Sequence, residues 1–128
     1  MIVGLANGCF DGLHSGHKRF LREAVRRCGH LIVAVNHDAW CRMHKGPQRP
    51  LVMLEFRIEA LECFLHFLPG KPNYSVVPFN GDAYRLAEII APDVVFRGHD
   101  QRDESPIPVV RIDKFGDFST TSQARSAS

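Results

Sequence analysis

The sequence has no apolar run longer than five residues, the stretch Leu31-Ile32-Val33-Ala34-Val35. That is far short of the roughly 20 needed to cross a bilayer as a helix. No basic, apolar and small-residue sequence of regions marks an opening secretory signal. A C-x-x-C pair is also missing: Cys9, Cys28, Cys41 and Cys63 lie far apart, which removes the common zinc frameworks and the thioredoxin-like redox motif. A quartet of Cys28, His30, His37 and Cys41 matches no usual ligand spacing, and Cys28 falls on an apolar helical face. Free thiols in a reducing cytoplasm are the expectation. An excess of one charge is absent as well. Sixteen basic against fourteen acidic residues leave a net charge of +2, too little for a polyanion-binding face, so neither nucleic acid nor membrane is expected as a partner. No Gly-x-Gly-x-x-Gly follows the first apolar run, which argues against a Rossmann dehydrogenase. Internal repeats and low-complexity tracts are likewise lacking.

What remains is the composition of an ordinary globular domain: 128 residues, 45% apolar and 23% charged, read as a single domain spanning 1–128. Residues 2–6 form a short apolar run. Phe20, Leu21, Ala24, Val25 and Cys28 then recur at helical spacing, with Lys18, Arg19, Arg22, Glu23, Arg26 and Arg27 on the other face. Residues 31–35 read as a strand buried on both sides, as in a parallel sheet. Residues 40–50, with one glycine and two prolines, read as a loop. A helix over 53–67 follows and stops at Pro69-Gly70. Strands are expected at Tyr74–Phe79, 94–96 and Val109–Ile112, with a helix over 82–91 and the capped start of a last one at Ser119-Thr120-Thr121. The alternation predicts a Rossmann-like, doubly wound α/β fold, with a five-stranded parallel sheet and helices on both faces.

Ligands of such sheets bind beyond the carboxyl ends of the strands. Four polar segments fall there: 7–17, 36–45, 97–100 and 115–121. The first is the most informative, Gly8-Cys9-Phe10-Asp11-Gly12-Leu13-His14-Ser15-Gly16-His17. It places His14 and His17 on a strand-to-helix turn, where backbone N–H groups and the helix dipole favour an anion. Gly16 between them lets a ligand approach the backbone. Two imidazoles added to a helix start suit a phosphate chain.

This decapeptide resembles the signature of the cytidylyltransferase-like nucleotidyltransferases, and Ser119-Thr120-Thr121 resembles that superfamily's second signature. Val35-Asn36-His37-Asp38, Lys45-Gly46-Pro47-Gln48-Arg49-Pro50 and Arg97-Gly98-His99-Asp100 stand between them in the family's order. Within the superfamily the chain is most similar to the adenylyltransferases of ADP-heptose synthesis, then to glycerol-3-phosphate cytidylyltransferases. The resemblance implies attack of an acceptor phosphate oxygen on the α-phosphorus of a nucleoside triphosphate, with release of pyrophosphate. It assigns His14, His17 and Lys45 to catalysis. Gly8, Cys9, Phe10, Asp11, Gly16, Lys18, Arg97, Gly98, Asp100, Ser119, Thr120 and Thr121 are assigned to the nucleotide. Arg57, Asn36, Lys114 and Arg125 are further candidates for phosphate or acceptor. Mg²⁺ is expected to arrive with the nucleotide, with no protein metal ligands, and relatives are commonly homodimers.

Two departures from the family pattern stand out. Lys114 stands five residues before Ser119, where many cytidylyltransferases carry arginine, and lysine lacks the planar bidentate fork. Asp117 replaces a glycine of the cytidylyltransferase pattern. The lysine favours ATP, with a sugar phosphate such as heptose 1-phosphate as acceptor, whereas the aspartate implies only a different course for its loop. CTP with glycerol 3-phosphate, or another alcohol phosphate, is the alternative enzyme, and a non-catalytic nucleotide-binding module is the alternative outside enzymes.

Overall fold

A computed structural model describes residues 1–99, 101 and 104–112. Nine elements follow one another: β1 (Val3–Gly8), α1 (Ser15–Arg26), β2 (His30–Asn36), α2 (Asp38–Lys45), α3 (Leu54–His66), β3 (Tyr74–Phe79), α4 (Ala83–Ile90), β4 (Val94–Gly98) and β5 (Val109–Ile112). The strands form one sheet in the order β3-β2-β1-β4-β5, and every pairing is parallel. The expected five-stranded parallel α/β sheet is therefore the observed fold.

Alternation along the strands explains the two-sided core. In β1, β2 and β4, Leu5, Ala34 and Val95 meet Ala87 of α4 on one face. Their neighbours Ala6, Val33, Val35 and Phe96 meet Leu21 and Ala24 of α1 and Leu61 and Leu65 of α3 on the other. Successive side chains of a strand point to opposite faces, so strands covered by helices on both sides must be apolar throughout. The Asp93 carboxylate accepts from the Val3 amide at 2.8 Å and its own amide donates to the Val3 carbonyl at 2.8 Å, which sets the register of β4 beside β1. Asp82 caps α4 by accepting from the Arg85 amide at 2.8 Å, and Ala91 ends that helix in the left-handed conformation.

One element departs from the sequence expectation. Residues 38–45 are helical, whereas 40–50 read as a loop. Of α2 only Cys41 is buried, so the helix has almost no apolar stripe to betray it. Its charges carry the missed signal: Asp38 lies in the first turn and Arg42, His44 and Lys45 in the last, the arrangement that complements a helix dipole.

The sheet reverses direction of growth between β1 and β4. From β1 the chain builds outward through β2 and β3, then returns to β1's other side with β4. A crevice at this switch point is where an open α/β sheet takes a ligand. None of the described helices is long and apolar enough to cross a membrane.

Candidate active site

A cleft of about 710 Å³ opens at the carboxyl ends of β1 and β4, within the range of small-molecule sites. Gly8, Cys9, Phe10, Asp11, His14, Gly16, His17 and Lys45 line it, as expected from the sequence, together with Gly98 and His99 from the end of β4.

The two histidines are built into the start of α1. His14 is the N-cap, and its Nδ1 accepts from the amides of Gly16 at 3.1 Å and His17 at 3.4 Å. His17 returns the contact: its Nδ1 accepts from the His14 amide at 3.3 Å. The reciprocal pattern is a capping box made of imidazoles instead of hydroxyl and carboxyl groups. The rings stack with centroids 3.7 Å apart, and the edge of Phe10 packs on His17 at 5.4 Å. A nitrogen that accepts an N–H bond carries no proton, so each neutral ring bears its proton on Nε2. In that tautomer the second ring nitrogen of each histidine is an Nε2–H donor, and both residues line the cleft. Two amides of the helix start are occupied by the His14 ring, so the histidines stand in for them while the dipole remains. Gly16 suits this packing, because a Cβ there would lie 3.0 Å from His14 Cε1 and the ring would have to give way by a few tenths of an ångström.

Asp11 ties the turn to the segment after α2. Its carboxylate accepts from the amides of Leu51 at 2.8 Å and Val52 at 2.9 Å, and from Arg49 at 3.0 Å. Burial pushes the carboxyl up, but these three donors and the Arg49 charge outweigh it and hold Asp11 below its ordinary value. Lys45, the exposed last residue of α2, reaches the cleft from the same side.

Four residues expected to contact a ligand are not among those lining the cleft. Arg57 is fully buried, and its guanidinium donates to the carbonyls of Val52 at 2.8 Å, Cys9 at 2.7 Å and Asn36 at 2.9 Å and to the Asp38 carboxylate at 2.5 Å. It is an internal strut under the turn and does not line the cleft. Lys18 holds its ammonium 6.0 Å from the Phe64 ring, beside Arg22 at 5.4 Å. One residue beyond His17, the helix has rotated it away from the cleft. Arg97 is buried within β4 and donates to the Glu104 carbonyl at 3.4 Å. Its strand position sends the side chain to the opposite face from Gly98. Asn36 is also buried, at the carboxyl end of β2, and does not line the cleft. Asp100, Lys114, Ser119, Thr120, Thr121 and Arg125 lie outside the described residues, as does the last helix expected from Ser119.

The structure also supplies residues the sequence did not single out. Arg19, Arg49 and Gln101 line the cleft. Gln101 accepts from the Gly98 amide at 2.8 Å and donates to the Asn7 carbonyl at 3.3 Å, tying β4 to β1 across the switch point. Cys9 and Cys41 are joined in a disulfide, 32 residues apart in sequence. This corrects the expectation of four free thiols, which holds for Cys28 and Cys63. Among the described residues, no three His, Cys, Asp or Glu side chains converge as metal ligands.

Comparison with known proteins follows the same outline. The cytidylyltransferase-like family profile matches residues 5–110. The chain belongs to this family of nucleotidyltransferases. It is 43% identical over 106 residues to the bifunctional protein HldE of Hydrogenovibrio crunogenus, covering 80% of this chain and 20% of that protein. The HldE of Granulibacter bethesdensis is 38% identical over 113 residues, covering 84% and 21%. The chain therefore spans about one fifth of the length of the curated relatives it matches. Among solved structures, the fold is shared with a lipopolysaccharide core biosynthesis protein from Thermoplasma volcanium, at a TM-score of 0.73 and 24% identity over 90% of this chain and 98% of that one. An Archaeoglobus fulgidus protein of unknown function superposes with a TM-score of 0.72 at 16% identity, over 99% and 98%.

Proposed function

We propose that this domain transfers AMP from ATP to the phosphate of a small sugar phosphate, such as heptose 1-phosphate, releasing pyrophosphate. The observation that carries the reading is the stacked His14–His17 pair, capping α1 on the wall of the switch-point cleft. The similarity to HldE proteins supports the choice of sugar phosphate over other acceptors.

An acceptor phosphate is already an anion, so no base is needed to generate the nucleophile. Its oxygen forms the new bond to the α-phosphorus, and the bond to the bridging oxygen breaks with its electron pair leaving on pyrophosphate. The work left to the protein is alignment and the neutralisation of growing charge. His14 and His17 donate to the phosphate oxygens on which that charge develops, aided by the α1 dipole. Lys45 closes over the reactants from the end of α2, while Gly8, Cys9, Phe10, Asp11 and Gly98 shape the nucleotide's bed. Asp100 and Ser119-Thr120-Thr121 complete it in this reading, the latter at the β- and γ-phosphates, with Lys114 and Arg125 as nearby cations. Mg²⁺ accompanies the nucleotide and is held by phosphate oxygens and water. The working unit is a homodimer.

Pyrophosphate release, measured with each nucleoside triphosphate against a panel of phosphorylated acceptors, tests the proposal. ATP with heptose 1-phosphate is the pair expected to turn over. Turnover restricted to CTP with glycerol 3-phosphate would replace this reading with the cytidylyltransferase one. Nucleotide binding without pyrophosphate from any pair would mark a non-catalytic module.

A further inference from the structure

The disulfide sits in the wall of the cleft. Cys9 belongs to the turn that carries the histidines, and Cys41 is the single buried residue of α2. Both line the cleft, although each is largely buried, Cys9 at 8% and Cys41 at 1% exposure. Lys45 stands four residues after Cys41, on the same side of the helix. The bond therefore ties the element bearing Lys45 to the element bearing His14 and His17. A charged group stands beside the pair: Arg57 Nη1 lies 3.7 Å from Cys41 Sγ. A cation beside a sulfur favours the thiolate, and a stabilised thiolate is the better leaving group in exchange.

We propose that Cys9 and Cys41 form a reversible dithiol–disulfide couple that locks α2 to the histidine turn when oxidised and frees it when reduced. In reduction, an external thiolate of the glutathione class enters by the cleft and bonds to Cys9 Sγ. The Cys9–Cys41 bond breaks, and its electron pair leaves on Cys41 beside Arg57. A second external thiolate then attacks the mixed disulfide, releasing Cys9 and one molecule of oxidised glutathione. Two electrons and two protons pass to the protein. Oxidation runs the same steps backward, with glutathione disulfide as the oxidant. Release of α2 loosens Lys45 and the segment after it, and so alters any reaction in which Lys45 must meet the histidines. That last consequence rests on the proposed nucleotidyl transfer.

The test equilibrates the full chain in glutathione buffers of graded ratio. Free thiols are then counted after denaturation, and hydrogen exchange is followed over residues 42–52. Oxidation is expected to remove two of the four thiols, to give a Cys9–Cys41 linked peptide, and to slow exchange in that segment about tenfold. Cys41→Ser should abolish the exchange response, while Cys28→Ser and Cys63→Ser retain it. Four free thiols at every ratio, a link through Cys28 or Cys63, or equal exchange in the two forms would each overturn the couple. Pyrophosphate release is compared in the same samples, with a severalfold difference expected. If neither form releases pyrophosphate, the transfer reading fails, whereas thiol count and exchange still decide the couple.

Discussion

Replacing Arg57 by alanine should cost about 4 kcal/mol of folding stability, although the residue does not line the cleft. The figure follows from what the guanidinium leaves behind. It serves the carbonyls of Cys9, Asn36 and Val52 and the Asp38 carboxylate, and its own side chain is 0% exposed. A buried acceptor that loses its donor costs about 1–3 kcal/mol. Here the emptied space admits water, so about 1 kcal/mol for each of three carbonyls is the appropriate choice. Breaking a buried ion pair from one side costs about 3–5 kcal/mol, but Asp38 is 22% exposed and rehydrates, leaving about 1 kcal/mol for that part. Arg57→Lys keeps the charge and loses the fork, and should cost about 2 kcal/mol. Urea unfolding under constant reducing conditions reads both variants. At a slope near 2 kcal/mol/M, the alanine midpoint falls by about 2 M. Should the alanine variant not fold, the lysine variant still gives a number. A loss below about 1 kcal/mol for alanine, or equal losses for the two variants, would refute the claim that directional bonds are the source of the stability.

Three further outcomes test the site. His17→Ala should lower turnover about a hundredfold or more by removing a transition-state donor; unchanged turnover in the pyrophosphate assay would remove that role. Gly16→Ala should leave thermal stability unchanged or slightly raised, since alanine is the better helix former by about 1 kcal/mol. Its Cβ would press on the His14 ring, so turnover should fall about tenfold, as for other groups displaced by part of an ångström. A wild-type rate would show that ring orientation is irrelevant. Asp11→Asn should be less stable than wild type at neutral pH. Because the Asp11 value is lowered in the fold, its contribution is present above the ordinary carboxylate range and is lost as pH falls through the lowered value. The difference in melting temperature should therefore shrink below about pH 4. A gap that stays constant into acid would refute the carboxylate's part in holding residues 49–52.

Legibility followed the range of the interaction. The strands Tyr74–Phe79 and Val109–Ile112 match the sequence reading residue for residue, since apolar runs too short for helices leave few alternatives in an alternating chain. The histidine pair was equally visible, because a spacing of three at a helix start brings two rings together whatever the rest of the chain does. Helix α2 was hidden for lack of an apolar face, its stability coming from charge placement and one buried cysteine. Arg57 illustrates the other limit. Its partners come from Cys9, Asn36, Asp38 and Val52, and no local pattern separates an arginine that braces backbone carbonyls from one that binds phosphate. The Cys9–Cys41 pair is of the same kind, produced by the docking of α2 on the end of β1.

The reciprocal cap of His14 and His17 means that one ring serves two ends at once, its Nδ1 the helix and its Nε2 the proposed transfer. Ordinary substitutions damage both, so a loss of activity alone says nothing about which was lost. Asparagine at position 14 divides them: its side-chain oxygen caps a helix as well as any residue, yet nothing on it reaches where Nε2 stood. A chain carrying His14→Asn would be a folded scaffold with one chemical hand removed. The architecture thus contains its own separation-of-function allele, at the position where fold and chemistry share a single side chain.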